Sequence, residues 1–171
     1  MVERGGRTPS ASHAEATMAG EIEARLKALD LALPEAKALI GSYVPFLHLD
    51  RLLFVSGQLP MKDGKLAFAG KLGTDTDLAI GQQAARLCAV NILAQAKTAL
   101  RDLDRIVQLL RVNGFVNASP DFTDHPKVMN GASDFLVEVL GNKGRHTRIA
   151  VGCASLPLGA AVEVDAIFAV D

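Results

Sequence analysis

Three segments of the chain repeat apolar residues every three or four positions, which is the spacing that places them on one face of a helix. They are residues 21–33, 76–100 and 127–140. The first is short and stops at Pro34, a residue that cannot continue a helix. We expect it to be an added N-terminal helix, within residues 18–34, on the outside of the domain. The other two are long enough to pack along a sheet.

Five runs rich in apolar and β-branched residues alternate with these helices and predict β-strands. Between the first two runs stands Asp63-Gly64, a dipeptide typical of hairpin turns, in a loop that we expect to exceed two residues. The runs are residues 52–58, 65–71, 105–116, 149–154 and 162–170.

After the N-terminal helix the predicted order of elements is β-β-α-β-α-β-β. This order is typical of an α+β domain with a mixed sheet and both long helices on one face. One layer of two helices cannot cover both faces of a sheet whose strands are apolar on both sides. We therefore expect the second face to be buried against another copy of the chain.

The N-terminal residues 1–17 are polar and small and show no apolar periodicity. We expect them to form a mobile tail ahead of a single domain that spans residues 18–171. A length of 171 residues suits one domain, and such a domain buries enough surface to need neither disulfides nor a metal.

The charge balance and the hydropathy argue against two classes of partner, nucleic acids and membranes. Lys and Arg number 18 against 19 Asp and Glu, and the net charge of −1 argues against a general nucleic-acid binder. No apolar run reaches the length of a membrane span, and the N-terminus lacks the apolar core of a signal peptide. The 2 cysteines form no CxxC pair, so we expect no metal site and a reduced, cytoplasmic location.

Isolated polar residues at strand ends are the candidates for chemistry, because the sequence lacks nucleotide-binding, metalloprotease and serine-hydrolase motifs. Arg148 stands just before a predicted strand, where its planar fork either holds a carboxylate or belongs to a solvated basic loop. Glu163 and Asp165 share one face of the last strand, either facing a partner or forming a solvent-facing stripe. Gly57 either lets a ligand approach the backbone or simply serves a turn.

A set of short motifs along residues 40–170 resembles, in one order, the RidA/YjgF family, also labelled endoribonuclease L-PSP. Each motif alone is weak, but the set is specific. Two longer stretches, GFVNASPDFTDHPKVMNGASDF and GRHTRIAVGCASLP, resemble a longer, YjgF-like subgroup of that family. The motifs are Tyr43, SGQLP at 56–60, GFVN at 114–117, Asn130, R-x-x-V-x-x-A-x-L-P at 148–157 and VEVDAI at 162–167.

The resemblance implies a chorismate-mutase-like fold assembled as a homotrimer, with clefts for a small carboxylate-bearing metabolite between subunits. It also implies hydrolysis of reactive enamines and imines to 2-keto acids and ammonia, without a metal or cofactor. By their positions in the motifs, Arg148 would bind the carboxylate of the substrate and Glu163 would position the attacking water. Tyr43, Gly57 and Asn130 would line the cleft.

Two departures from the family pattern bear on the cleft. Ala150 stands where the family usually has a cysteine, and Gly152 replaces a larger residue. The alternative function is therefore a trimeric protein that binds keto or amino acids, or regulates through them, without turnover. Ribonuclease activity follows only from the older family label and agrees poorly with the charge balance. A chorismate mutase is suggested by fold analogy alone.

Overall fold

The computed structural model describes residues 20–36 and 42–171, so the predicted tail, residues 1–17, lies outside the described part of the chain. Short 3₁₀ turns connect several of the elements. In chain order the helices and strands are α1 (Glu21–Ala28), β1 (Phe46–Leu49), β2 (Leu52–Gln58), β3 (Met61–Lys62), β4 (Lys65–Leu66), α2 (Leu78–Leu100), β5 (Ile106–Asn117), α3 (His125–Leu140), β6 (Thr147–Cys153) and β7 (Val162–Val170).

The strands form one five-stranded sheet in the order β1-β2-β7-β5-β6 and a separate two-stranded hairpin of β3 and β4. Neighbouring strands of the large sheet are antiparallel except β5 and β6, which run parallel. Helices α2 and α3 pack together and on one face of this sheet. The predicted α+β architecture, with its mixed sheet and added N-terminal helix, is confirmed.

The core lies between the helices and the sheet face that they cover, and the alternation of strand residues explains which side chains enter it. Along β7, Val162, Val164 and Ala166 are buried, while the residues between them are only half-buried on the other side. Gly131 lets α3 lie against the backbone of α2, because a Cβ there would stand 2.0 Å from the carbonyl oxygen of Gln82. This close contact fixes the position of α3 over the sheet edge.

Helix α1 is tied to the rest of the domain through its N-terminus. The backbone N–H groups of Glu21 and Ile22 donate to the carboxylate of Asp104 at 2.7 and 2.9 Å. Because free N–H groups at a helix start carry partial positive charge, a carboxylate stabilises this end. The prediction that the helix continues to Pro34 is wrong: α1 ends at Ala28, and Asp30 adopts a left-handed backbone with φ 52°.

The predicted strand over residues 65–71 is also wrong, since only its first two residues form a strand, β4, which pairs with β3, while Ala69 makes an isolated bridge to Ala160. Asp63 and Gly64 both have positive φ, 50° and 79°, and close a tight two-residue turn, so the expected longer loop is absent there. In the large sheet, β2 lies between β1 and β7 and pairs with both. The four residues of β1, FLHL, are too few to show an alternating pattern in the sequence.

The sheet face turned away from the helices, which we call the outer face, carries exposed large apolar side chains, as the strand pattern predicts. Its exposed side chains come from both ends of the sheet, since they lie on strands β1, β2 and β6. A monomer would leave this apolar surface in water. The exposed large residues of the outer face include Leu47, Leu49, Leu52, Phe54, Ile149 and Val151.

Candidate functional site

Arg148 lies on the helix side of β6, the edge strand, as the second residue of that strand rather than ahead of it as the sequence predicts. Its register partner on β5 is the buried Val112. Nη1 donates to Asn130 Oδ1 and to Ser133 Oγ, both at 3.0 Å, and Nη2 donates to the carbonyl of Pro126 at 3.2 Å. We call Arg148, Asn130 and Ser133 the arginine cluster, which joins two of the predicted residues.

His146 contacts the arginine cluster through Ser133. His146 Nδ1 donates to the Gly144 carbonyl at 2.6 Å, so its Nε2 accepts from the Ser133 hydroxyl at 3.0 Å. Burial lowers the pKa of His146, and the positive charge of Arg148 lowers it further against the raising effect of the Gly144 carbonyl. The lowered pKa favours the neutral imidazole, whose Nε2 accepts from the Ser133 hydroxyl while the serine oxygen accepts from Arg148.

The charge of Arg148 is not neutralised within the described residues, because none of their carboxylates lies within ion-pair distance of its guanidinium. The acceptors that hold it are an amide, a hydroxyl and a carbonyl, all uncharged. Its Nε and one Nη2 hydrogen have no acceptor among the described residues. A guanidinium fixed in this way can receive a carboxylate from a ligand.

The carboxylate of Glu163 lies against the backbone of Gly57, in a second group that we call the glutamate cluster (Glu163 and Gly57). A Cβ at Gly57 would stand 2.1 Å from Glu163 Oε1. The contact forms where β2 breaks register with β7 between Val55 and Gln58. Burial raises the pKa of Glu163, and the negative charge of the neighbouring Asp165 raises it further.

A polar row continues from Glu163 along the outer face. Asn113 donates to Asp165 Oδ1 at 2.8 Å, and Arg111 Nε donates to Asn113 Oδ1 at 2.9 Å. Burial raises the pKa of Asp165, while the Asn113 hydrogen bond and the Arg111 charge act in the opposite direction. The prediction that Glu163 and Asp165 share one face is confirmed, and that face is the one without helices.

The two clusters lie on opposite faces of the same sheet. Arg148 shares the helix side with its register partner Val112, whereas Glu163 pairs with Phe115, which points to the outer face. Strand β5 stands between the strands that carry them. Within one protomer, therefore, the structure does not bring the predicted carboxylate-binding arginine to the predicted water-positioning acid.

Tyr43 is the predicted cleft residue most distant from Arg148 in the sheet order. It precedes β1, the edge strand opposite β6, and its side chain is 58% exposed. In the protomer it joins neither cluster by a hydrogen bond among the described residues. Within the described part of one protomer, the structure therefore does not join Tyr43 to Arg148 or Glu163.

Ser133 and His146, which contact each other beside Arg148, are not among the site residues predicted from the sequence. Ser133 lies three residues after Asn130 on α3, so helical spacing alone could have placed it beside that residue. His146 comes just before β6, and no local spacing rule connects it to α3.

Over the described ranges, the structure contains neither a metal-binding group nor a membrane-spanning helix. No three or more His, Cys, Asp or Glu side chains in these ranges are placed to hold a metal ion. None of the helices described combines the length and apolar character that crossing a membrane requires.

The sequence matches a known protein family and a relative in it. The model of the family described as "YjgF/chorismate mutase-like, putative endoribonuclease" matches residues 23–169. Protein TCP17 of Trypanosoma cruzi is 46% identical over 149 residues, which cover 86% of this chain and 93% of that protein.

Solved structures agree with the sequence comparison. The crystal structure of Atu1372 from Agrobacterium tumefaciens, a protein with unknown function, shares 53% identity and superposes with a TM-score of 0.83, covering 88% of this chain and 92% of that one. The crystal structure of E. coli TdcF with bound serine is more distant, with 26% identity and a TM-score of 0.58 over 80% of this chain and 94% of that one.

Proposed function

Because this chain belongs to the YjgF/chorismate mutase-like family, we propose that it hydrolyses reactive enamines and imines of amino acids to 2-keto acids and ammonia. The substrate is a small carboxylate-bearing metabolite, and the site is a cleft between two copies of the chain. Arg148 binds the substrate carboxylate, and Glu163 of the neighbouring copy positions the water. No metal or cofactor takes part in this proposal.

The observation that carries the proposal is that the guanidinium of Arg148 is held in place but has no carboxylate partner among the described residues. Three uncharged acceptors hold the guanidinium in place and leave its charge, its Nε donor and one Nη2 donor for a ligand. An arginine that served only the fold would be expected to pair with a carboxylate. The serine bound to TdcF, a relative, carries the carboxylate that such a site would recognise.

The protein does not need to activate the reacting carbon strongly, because the carbon of an imine is already electrophilic. An enamine first becomes an imine, as its β-carbon takes a proton from water and its nitrogen releases one. Water then adds to the imine carbon, so that a C–O bond forms, the π bond to nitrogen breaks and a water proton passes to the nitrogen. The hydroxyl proton of this adduct also passes to the nitrogen, the C–N bond breaks, ammonia leaves and a keto group remains, with no net oxidation or reduction. The raised pKa of Glu163 makes its carboxylate a stronger base for this proton transfer.

The placement of the two clusters supports a site built from two copies. Arg148 and Glu163 lie on opposite faces of one sheet, so a cleft that contains both needs Glu163 from a neighbour. The apolar outer face, which carries Glu163, supplies the surface for that contact. We propose a homotrimer, a closed ring in which each pair of subunits forms one cleft. Light scattering at micromolar concentration tests it, and a monomer would exclude the cleft.

The second candidate is a protein that binds keto or amino acids, or is regulated by them, without turnover. One observation favours it: among the described residues, no carboxylate lies within ion-pair distance of Arg148. Ribonuclease activity, the older family label, is less attractive because the net charge of −1 offers little general attraction for RNA.

The experiment uses 2-aminoacrylate, generated from serine by a pyridoxal-phosphate dehydratase, and follows the rate at which pyruvate forms. The wild type should accelerate this rate, and Arg148→Ala should lower kcat/KM by about 10–150-fold, since it removes a charge-assisted hydrogen bond. Arg148→Lys should fall between them, because an ammonium lacks the planar fork. Arg145→Ala, an exposed arginine nearby, is the matched control.

The outcomes separate the two candidates. Acceleration that depends on Arg148 supports the deaminase. Keto-acid binding that depends on Arg148, without acceleration by the wild type, supports the binding protein instead. Full activity in Arg148→Ala would remove Arg148 from the site.

A further inference from the structure

A second imidazole, that of His125, lies on the same face of β6 as the arginine cluster. His125 is the first residue of α3, and its imidazole fills the space above Gly152. A Cβ at Gly152 would stand 2.4 Å from His125 Nε2 and 3.1 Å from Cε1. The ring of Phe122 holds the imidazole edge-on, with 5.5 Å between the ring centres. The imidazole of His125 can therefore take this position only because residue 152 has no side chain.

His125 and Arg148 flank one small residue. Positions 148, 150 and 152 share a face of the strand, so Ala150 lies between the guanidinium and the imidazole. The carbonyl of Pro126, the residue after His125, accepts from Arg148 Nη2. Neither ring nitrogen of His125 has a hydrogen-bond partner in the described residues, in contrast to His146, whose two nitrogens are both engaged.

We propose that His125 is a specificity-determining residue, which hydrogen-bonds the side-chain end of the substrate while Arg148 holds its carboxylate. The preferred substrates are 2-imino and 2-keto acids whose side chain ends in an oxygen acceptor. Ala150, between the two anchors, carries only a methyl group, and an imidazole N–H supplies the donor. This inference rests on the proposed function, because it needs Arg148 to bind the carboxylate.

The test compares two ligands of matched shape by calorimetry on the wild-type protein. 2-Oxoglutarate carries a terminal carboxylate, and 5-methyl-2-oxohexanoate carries two methyl groups in its place. The wild type should bind 2-oxoglutarate about tenfold or more tightly, the expectation for one hydrogen bond to a charged group. His125→Ala should reduce this preference to about onefold and leave the affinity for 5-methyl-2-oxohexanoate within about twofold.

Gly152→Ala gives an independent check, because its methyl group would displace the imidazole without altering His125 itself. It should abolish the preference as His125→Ala does, and the double variant should lose no more than either single variant. A preference that survives in His125→Ala overturns the inference, as does a double variant with additive losses.

Arg148→Ala separates this inference from the proposed function. If both ligands weaken in Arg148→Ala while the preference survives in His125→Ala, the carboxylate site stands and the role of His125 falls. If neither ligand binds, or neither depends on Arg148, both proposals fall together.

Discussion

The carboxylate of Glu163 occupies the space where a side chain at Gly57 would begin. A Cβ built on Gly57 would be 2.1 Å from Glu163 Oε1 and 3.0 Å from Cδ. Gly57 has no left-handed backbone angle to explain it, so the glycine is required by this contact rather than by a turn. The position of the acid on β7 is thus set by the absence of a side chain on β2.

Gly57→Ala should displace the Glu163 carboxylate and destabilise the protein by no more than about 1 kcal/mol, because the atoms that the methyl group would meet belong to a flexible side chain. The measurement is the free energy of unfolding in urea. In a Glu163→Ala background the same substitution should cost much less, because the carboxylate is gone. An equal cost in both backgrounds would show that Glu163 is not what Gly57 accommodates.

Ser133→Ala should weaken the binding of 2-oxobutanoate by about 2–10-fold, because it removes one of the three hydrogen bonds that hold the guanidinium in place. The serine accepts from Arg148 and donates to His146, so its loss loosens the fork without removing the charge. Calorimetry measures the affinity, with Ser155→Ala, an exposed serine of the β6–β7 connection, as the control. Unchanged affinity in Ser133→Ala would exclude a positioning role.

Acidification should destabilise the fold through His146. Its pKa is lowered from the ordinary value of 6.5, chiefly by burial and further by Arg148, so the unfolded chain binds a proton more readily than the folded one. This contribution to stability is present above pH 6.5 and is lost as the pH falls through the lowered folded value. In urea unfolding between about pH 7.5 and about pH 5, His146→Gln should lose less stability than the wild type. An identical slope would contradict the assignment.

Glu163 should act in the opposite direction, because burial and then Asp165 raise the pKa of its carboxyl in the folded state. The stability it contributes is present below the ordinary pKa of 4.5 and is lost as the pH rises through the raised value. At neutral pH, Glu163→Gln should therefore be at least as stable as the wild type, yet lose deaminase activity. A variant that unfolds more easily would point to a structural role.

Local patterns in the sequence predict much of this fold. The alternation in β7 alone places Glu163 and Asp165 together on one face, and β2 and β7 begin and end where their apolar runs do. The two long helices follow from apolar spacing in the same way. Such features depend on neighbours a few residues apart, which the sequence records directly.

The rest of the site depends on contacts between distant segments. Arg148 meets Asn130 and Ser133 because α3 crosses the edge of β6, a relation that no spacing encodes. The opposite facing of Arg148 and Glu163 follows only from the register of β5 with both its neighbours. The short strand β1 escapes prediction because four residues are too few to show a period.

The central claim, that one active site takes Arg148 and Glu163 from different copies, is tested by mixing two inactive variants. Arg148→Ala and Glu163→Gln, carrying different affinity tags, are co-expressed, and the mixed oligomers are purified through both tags in turn. In every mixed trimer one of the three clefts combines an intact Arg148 with an intact Glu163, so activity should recover to about a third of the wild-type rate per cleft. Mixed oligomers as inactive as either parent would contradict a site shared between subunits.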